Sequence, residues 1–244
     1  MEAIGRDERL IFIHGSGDSG VIWAPLLALL PDVETLAFDL PGHGERLAEP
    51  GPERMSVRDY AEDVYQSLTA RGMDGGVVIG HSLGGAITLR LAVDHPAFAR
   101  RIVLVGSGAR LRVAPRFLEE ARAAGPEGSL LLTEMEFEQG HEDQARALYT
   151  ARPQTAPGML YRDLVACDAF DMMSELDAIT QPALLIVGEA DRMTPVKYAE
   201  FLRQRLPQSE LVVIPDAGHY VQIERPEAVA AALRAWLAMG SAPA

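Results

Sequence analysis

Asparagine is absent from the 244-residue chain, and lysine occurs once, at Lys197. No asparagine amide can therefore serve in any reaction here, and nearly all the positive charge is carried by arginine. The bias fits genomic base composition first and heat stability second. Losing asparagine removes a thermolabile residue, but the lysine enrichment of hyperthermophilic proteins is missing too. Cysteine also occurs once, Cys167, which excludes an intrachain disulfide framework and suits a reducing compartment. Nowhere do about 18 apolar residues run uninterrupted, so no membrane span is expected. The opening residues, Met1 to Arg9, lack the apolar core of a secretory leader. Basic residues are outnumbered 22 to 35, a formal charge of -13, which argues against nucleic acid or an anionic membrane surface as the main partner. No histidine pair has a metal-binding spacing such as H-E-x-x-H, so no catalytic metal is expected. These absences together lead to the expectation of a cytoplasmic protein, long enough for one α/β domain with an insertion.

The chain alternates short apolar runs with helical patterns. Leu10-Ile11-Phe12-Ile13 leads into the glycine-rich turn from His14 to Gly20, and a helix is predicted over 21–30. A second strand, Val33 to Asp39, ends in the turn Leu40-Pro41-Gly42-His43-Gly44. Ser56 is placed to cap a helix whose apolar positions Val57, Tyr60, Ala61, Val64 and Leu68 fall at helical spacing. After a third strand, Val77-Val78-Ile79, a helix over 85–93 is stopped by Pro96, and Arg101 to Val105 forms the next strand. From 109 to 180 no buried strand is found, only short helical segments broken by proline and glycine. A structureless loop of that length is implausible in a compact domain, so the stretch reads as an inserted helical cap. Strands return at Ala183 to Gly188 and Leu211 to Ile214, each followed by a helix, over 195–206 and 226–239. The expected class is α/β, a mostly parallel sheet flanked by helices. Its core comprises 1–108 and 181–244, with the cap over 109–180.

Between the third strand and its helix stands Gly80-His81-Ser82-Leu83-Gly84. This is G-x-S-x-G in the strand-turn-helix setting that presents a serine as a nucleophile. The glycines let strand and helix approach, and Ser82 is held at a helix N-terminus, where unpaired N–H groups and the helix dipole favour developing negative charge. The chemically interesting residues all follow strand ends, where ligands bind in such sheets: His14 to Gly17, Ser82, Glu189 and Asp191, Asp216 and His219. In these motifs and in the order serine, acid, histidine, the chain resembles the α/β-hydrolase superfamily over nearly its whole length apart from the cap. The resemblance implies Ser82 as nucleophile, Asp191 as the acid and His219 as the base. It also implies an oxyanion hole from the N–H of the residue after the nucleophile, Leu83, and of the loop after the early strand, Ser16. A serine hydroxyl needs a neutral imidazole to accept its proton, and the imidazolium formed needs a carboxylate. Superfamily members usually carry two antiparallel strands before the one ending in His-Gly, more than nine residues can supply here. A trimmed sheet of about six strands is therefore predicted.

The implied activity is that of a cofactor-independent serine hydrolase, a carboxylesterase acting on small to medium acyl esters through an acyl-enzyme. Its partner is a small-molecule ester or related acyl substrate. Thioesterases, amidases, lactonases and acyltransferases share the triad and stay open, as does a receptor-like protein that keeps the fold and turns over poorly. Glu189 is the alternative acid, while Asp216 reads as a turn residue. His14 is expected to brace the oxyanion loop, His43 to shape its turn, His81 to pack beside the site, His95 to end a helix and His141 to be solvated. Met159, Leu160, Leu164, Met172 and Met173 either line an acyl pocket, methionine being adaptable in shape, or form the seam of cap on core. Glu134, Glu136, Glu138, Glu142 and Asp143 form an acidic cluster, either a solvated face or a recognition site for a cationic substrate. Cys167 reads as a small buried apolar residue.

Overall fold

A computed structural model of the protein describes residues 9–123, 137–141, 143 and 155–239. Six strands form one sheet: β1 (Leu10–Ile13), β2 (Thr35–Phe38), β3 (Gly76–His81), β4 (Ala99–Val105), β5 (Ala183–Gly188) and β6 (Ser209–Ile214). Their order is β2-β1-β3-β4-β5-β6, and every neighbouring pair is parallel. The sheet opens directly on β1, and no antiparallel strand precedes it among the described residues. The acidic residues Glu134, Glu136 and Glu142 lie outside the described residues.

The two faces of the sheet are read off the alternation of its strands. Ile11, Ile13, Val78, Ile102, Leu104, Leu185 and Val187 pack on one side with α2 (Val57–Thr69), α3 (Leu83–Asp94) and α6 (Val196–Arg205). Leu10, Phe12, Val77, Ile79, Val103, Val105 and Ile186 pack on the other with Trp23 and α8 (Pro226–Met239). Central strands covered on both faces lose the polar alternation of a half-exposed strand, which is why β1, β3 and β5 are wholly buried. Each fully buried side chain of this kind contributes roughly 1.5–3 kcal/mol.

α2 starts at the expected cap. The Ser56 hydroxyl accepts from Asp59 N at 3.2 Å, and the Asp59 carboxylate accepts from Ser56 N at 2.8 Å, a reciprocal capping box. The helix predicted over 21–30 is broken instead into a 3-10 turn, Gly20–Trp23, and a one-turn helix α1, Ala24–Leu27. Pro25 has no N–H to continue the preceding turn but suits the first turn of a new helix.

Between β4 and β5 the described chain carries α4 (Pro115–Ala123) and α5 (Met159–Ala169), which pack through Phe117, Ala121 and Leu164. The two ends of this excursion meet. Met172 N donates to Ala109 O at 2.8 Å, and Arg110 bridges to Asp171 in antiparallel fashion. A one-turn helix, α7 (Val221–Glu224), follows β6. Among the described residues no helix is long and apolar enough to cross a membrane.

Candidate active site

The carboxyl ends of β1, β3, β5 and β6 converge on one cleft of about 600 Å³, lined among others by Ser16, Ser82, Leu160, Leu164, Cys167 and His219. Ser82 separates β3 from α3, with φ 52° and ψ -114°, a conformation that strains any residue with a side chain. Four hydrogen bonds hold its peptide there. Ser82 N donates to Val105 O at 3.0 Å, and Ser82 O accepts from Ser107 Oγ at 2.8 Å, Gly85 N at 2.9 Å and Ala86 N at 3.2 Å. The glycines on either side are sterically required. A Cβ on Gly80 would lie 2.0 Å from Gly84 O, and one on Gly84 would lie 2.3 Å from Ile13 O, contacts with backbone that cannot step aside. Gly84→Ala is expected to cost about 3 kcal/mol or more through overpacking. Thermal unfolding checks this; a variant melting within 2 °C of the parent, in roughly the range of a sub-kcal change, would contradict it.

His219 follows β6 and is buried, its Nδ1 2.9 Å from Asp191 Oδ2. Asp191, after β5, accepts from Met193 N and Thr194 N at 2.8 Å through Oδ1 and from Thr194 Oγ1 at 2.8 Å through Oδ2. Burial opposes its charge, but His219 and the Thr194 bonds outweigh that and hold its pKa below the usual carboxylate value. An ionised Asp191 selects the imidazole tautomer with the proton on Nδ1, leaving Nε2 as the acceptor. Glu189, the alternative acid, is exposed.

His81 braces this pair from beneath, its Nε2–H donating to His219 O at 3.0 Å. Desolvation, then the nearby His219, lowers its pKa well below the ordinary histidine value. His14 is likewise buried and neutral, its pKa lowered to about 4 by desolvation and by His43 beside it. Its Nδ1–H donates to Gly15 O at 2.8 Å and its Nε2 accepts from Leu40 N at 3.0 Å, tying the loop after β1 to the end of β2. Both folded values lie below the unfolded one, near ~6.5. The unfolded chain therefore takes up protons that the native protein refuses, and this stability is full above the unfolded pKa and lost as pH falls. For His14 alone the loss between pH 6.5 and 4 is about 3 kcal/mol. Melting temperature is expected to drop over that window; a flat profile would show that the imidazoles are not buried neutral.

The loop after β1 lies against the serine, since a Cβ on Gly15 would sit 3.3 Å from Ser82 Cβ. Leu83 opens α3 and is buried. Among the described residues no acceptor within the protein takes the N–H of Ser16 or of Leu83. Of the residues expected on an acyl pocket, Leu164 lines the cleft with Leu160, but Met159 and Met172 do not. Met159 packs over Gly42, and Met172 belongs to the main core beneath α5. Residues 160, 164 and 167 share one helical face, which α5 turns to the cleft, whereas Met159 stands about 100° away from Leu160. Cys167 also lines the cleft, but burial pushes its thiol up to about 12, so it is not a thiolate at neutral pH. His141, expected to be solvated, is buried, its Nε2–H donating to Asp216 O at 3.2 Å.

One set of residues was not foreseen from the sequence. Asp163 on α5 is wholly buried, its Oδ2 accepting from Gly17 N at 2.9 Å and lying 3.0 Å from His43 Nε2, and its Oδ1 accepting from the Tyr60 hydroxyl. Arg162 beside it donates to Tyr60 Oη at 2.9 Å and to Pro52 O at 3.2 Å, as well as to the carbonyls of Pro41 and Pro50. Desolvation works against the charge on His43, yet Asp163 more than compensates and raises its pKa. The loop after β1, the turn after β2, α2 and α5 thus meet at one carboxylate. Glu224 plays a similar part on the other side, its Oε2 accepting from Gly218 N at 2.9 Å and from Glu138 N at 3.0 Å. Among the described residues no group of three or more His, Cys, Asp or Glu is placed to hold a metal ion.

Residues 10–232 match the family model described as the alpha/beta hydrolase family. The chain is 32% identical to a pimeloyl-acyl-carrier protein methyl ester esterase of Nitrosomonas europaea, over 93% of this chain and 94% of that one. Among solved structures, a thermophilic esterase is 35% identical with a TM-score of 0.79, covering 97% of this chain and 92% of that one. Another, Est816, an N-acyl homoserine lactone degrading enzyme, is 26% identical with a TM-score of 0.81, covering 96% and 95% of the two chains.

Proposed function

Because the chain belongs to the alpha/beta hydrolase family, we propose that it is a serine hydrolase cleaving carboxylic esters of small to medium acyl chains. The observation that carries this reading is the meeting, in one cleft, of a strained Ser82 at the start of α3 with the buried His219–Asp191 pair. Ser82 Oγ attacks the ester carbonyl while His219 Nε2 takes its proton, and ionised Asp191 stabilises the imidazolium through Nδ1–H. The oxyanion is met by the N–H groups of Leu83 and Ser16, aided by the N-terminal dipole of α3. The alcohol leaves with the proton from His219, and water, activated by the same imidazole, frees the acid from the acyl-enzyme. Cys167 is no rival nucleophile, because its thiol stays protonated.

Residues 109–180 form the cap in this reading, its neck closed by the contacts of Ala109 and Arg110 with residues 171 and 172. Leu160, Leu164 and Cys167 of α5 supply the apolar wall for the acyl group. The esterase names of the relatives support the ester class over the amide or thioester.

The test is intact-mass labelling with a fluorophosphonate beside a panel of p-nitrophenyl esters from acetate to dodecanoate. One adduct at Ser82 and a chain-length optimum are expected. A protein that neither labels nor turns over any ester would overturn the serine assignment.

A further inference from the structure

Tyr198 stands on the wall of the Ser82 cleft and also lines a second pocket of about 580 Å³, whose other residues are Ala109, Arg110, Met173, Lys197 and Phe201. The second pocket therefore adjoins the first, with an apolar and aromatic floor and two cations. A third cation, Arg112, lines the Ser82 cleft itself. In a chain with 35 acidic against 22 basic residues, the only acidic side chain lining either pocket among the described residues is Asp18, which accepts from the Tyr220 hydroxyl at 2.7 Å.

The three cations are weakly compensated. Asp171 is the one carboxylate within 4 Å of the arginines among the described residues, 3.7 Å from Arg110 Nη1 and 4.0 Å from Arg112 Nη2, beyond hydrogen-bond range. Exposed pairs of this kind add little stability. Lys197, the sole lysine of the chain, has no carboxylate within that distance among the described residues, and it occupies the first turn of α6. There the helix dipole disfavours a cation and favours an anion, so the placement works against the helix unless an anion joins it. The arginines are held in place: Arg112 Nη1 donates to Asp168 O at 2.6 Å, and Arg110 sits on the bridge to Asp171 at the neck of the insertion.

We propose that this second pocket is an anion subsite, and that the ester attacked at Ser82 carries a further ionised group, a carboxylate or a phosphate, on the part that runs over Tyr198. Guanidinium and ammonium groups pair with either anion, while Tyr198, Phe201 and Met173 cover the chain that bears it. The inference rests on the serine-hydrolase reading for turnover, but binding at the subsite does not.

The experiment compares methyl half-esters of C4 to C8 dicarboxylic acids with methyl esters of equal length ending in a carboxamide, and with a third series ending in a phosphomonoester. At low salt the charged esters are expected to exceed the neutral ones at least ~10-fold in kcat/KM, chiefly through KM, the preference shrinking as salt screens the charges. Whichever of the carboxylate and phosphate series leads identifies the source of the anion. The double variant Arg110→Glu, Lys197→Glu is expected to abolish or invert the preference, while Arg58→Glu, an exposed charge reversal on α2, keeps it. Equal kcat/KM for charged and neutral esters, or a preference indifferent to the double variant or lost equally in Arg58→Glu, would overturn the subsite. Calorimetric binding of the same three series to Ser82→Ala reads the subsite even if no ester is hydrolysed. Charge-dependent binding without turnover would thus count against the hydrolase reading alone.

Discussion

Ser82→Ala is expected to lower kcat by at least ~10³-fold while the protein remains folded and its KM changes little. As the proposed nucleophile, the hydroxyl forms its bond only in the reaction, so its loss falls on the chemical step and spares binding. Stability is unaffected because the strained turn is held by the Ser82 backbone, through Val105 O, Ser107 Oγ, Gly85 N and Ala86 N, and not by Oγ. With the N–H groups of Ser16 and Leu83 in the oxyanion role proposed for them, a small residual rate is expected from their polarising a bound carbonyl. Parallel kinetics and melting curves provide the check. A variant that retains more than about a tenth of its turnover, far above what loss of a nucleophile permits, would place the nucleophile elsewhere.

Asp163→Ala is expected to destabilise the protein by about 3–5 kcal/mol, the usual effect of removing one partner from a buried ionic group. Gly17 N and the Tyr60 hydroxyl would be left without their acceptor, and His43 and Arg162 without the carboxylate that balances them, all away from water. For a chain of this size that corresponds to a fall in melting temperature of about 6–20 °C. The pH dependence carries a second signature. His43 has a raised folded pKa, so its contribution is complete below the unfolded value, near ~6.5, and fades as pH rises through the folded one. In Asp163→Ala that fading should vanish. A variant that melts within about 2 °C of the parent, a change of less than roughly 1 kcal/mol, would show the cluster to be dispensable.

The elements that local pattern can encode were legible in advance. The apolar run of β1, the Ser56 cap, the glycine pair around Ser82 and the late strands β5 and β6 are each written within a few neighbouring residues, because propensity, capping and turn chemistry act over that range. The parallel pairing of the strands followed from their alternation with helices, and their expected number, about six, from the resemblance to the superfamily with its first two strands missing. Less was readable where one element leans on another. No local pattern singles out Arg162-Asp163, and Tyr60 reads as one more apolar position of α2. Their common burial depends on groups up to 146 residues apart in sequence. His141 was misread for the same reason, its partner being the carbonyl of Asp216.

By itself the sequence determined the α/β architecture, the six short parallel strands, and the types and order of the residues at their carboxyl ends. The cost of a side chain at Gly80 or Gly84 is local and steep. Only the tertiary structure decided which face of α5 meets the cleft, admitting Leu160, Leu164 and Cys167 and leaving Met159 over Gly42, and placed Met172, beyond the end of α5, in the main core. It also decided that Asp163 binds the loop beside Ser82, and that Arg110, Arg112 and Lys197 gather around Tyr198. Helical periodicity states that a face exists, but the rotation of a helix about its axis is settled by long-range packing and by the desolvation of buried charge, which no local pattern contains.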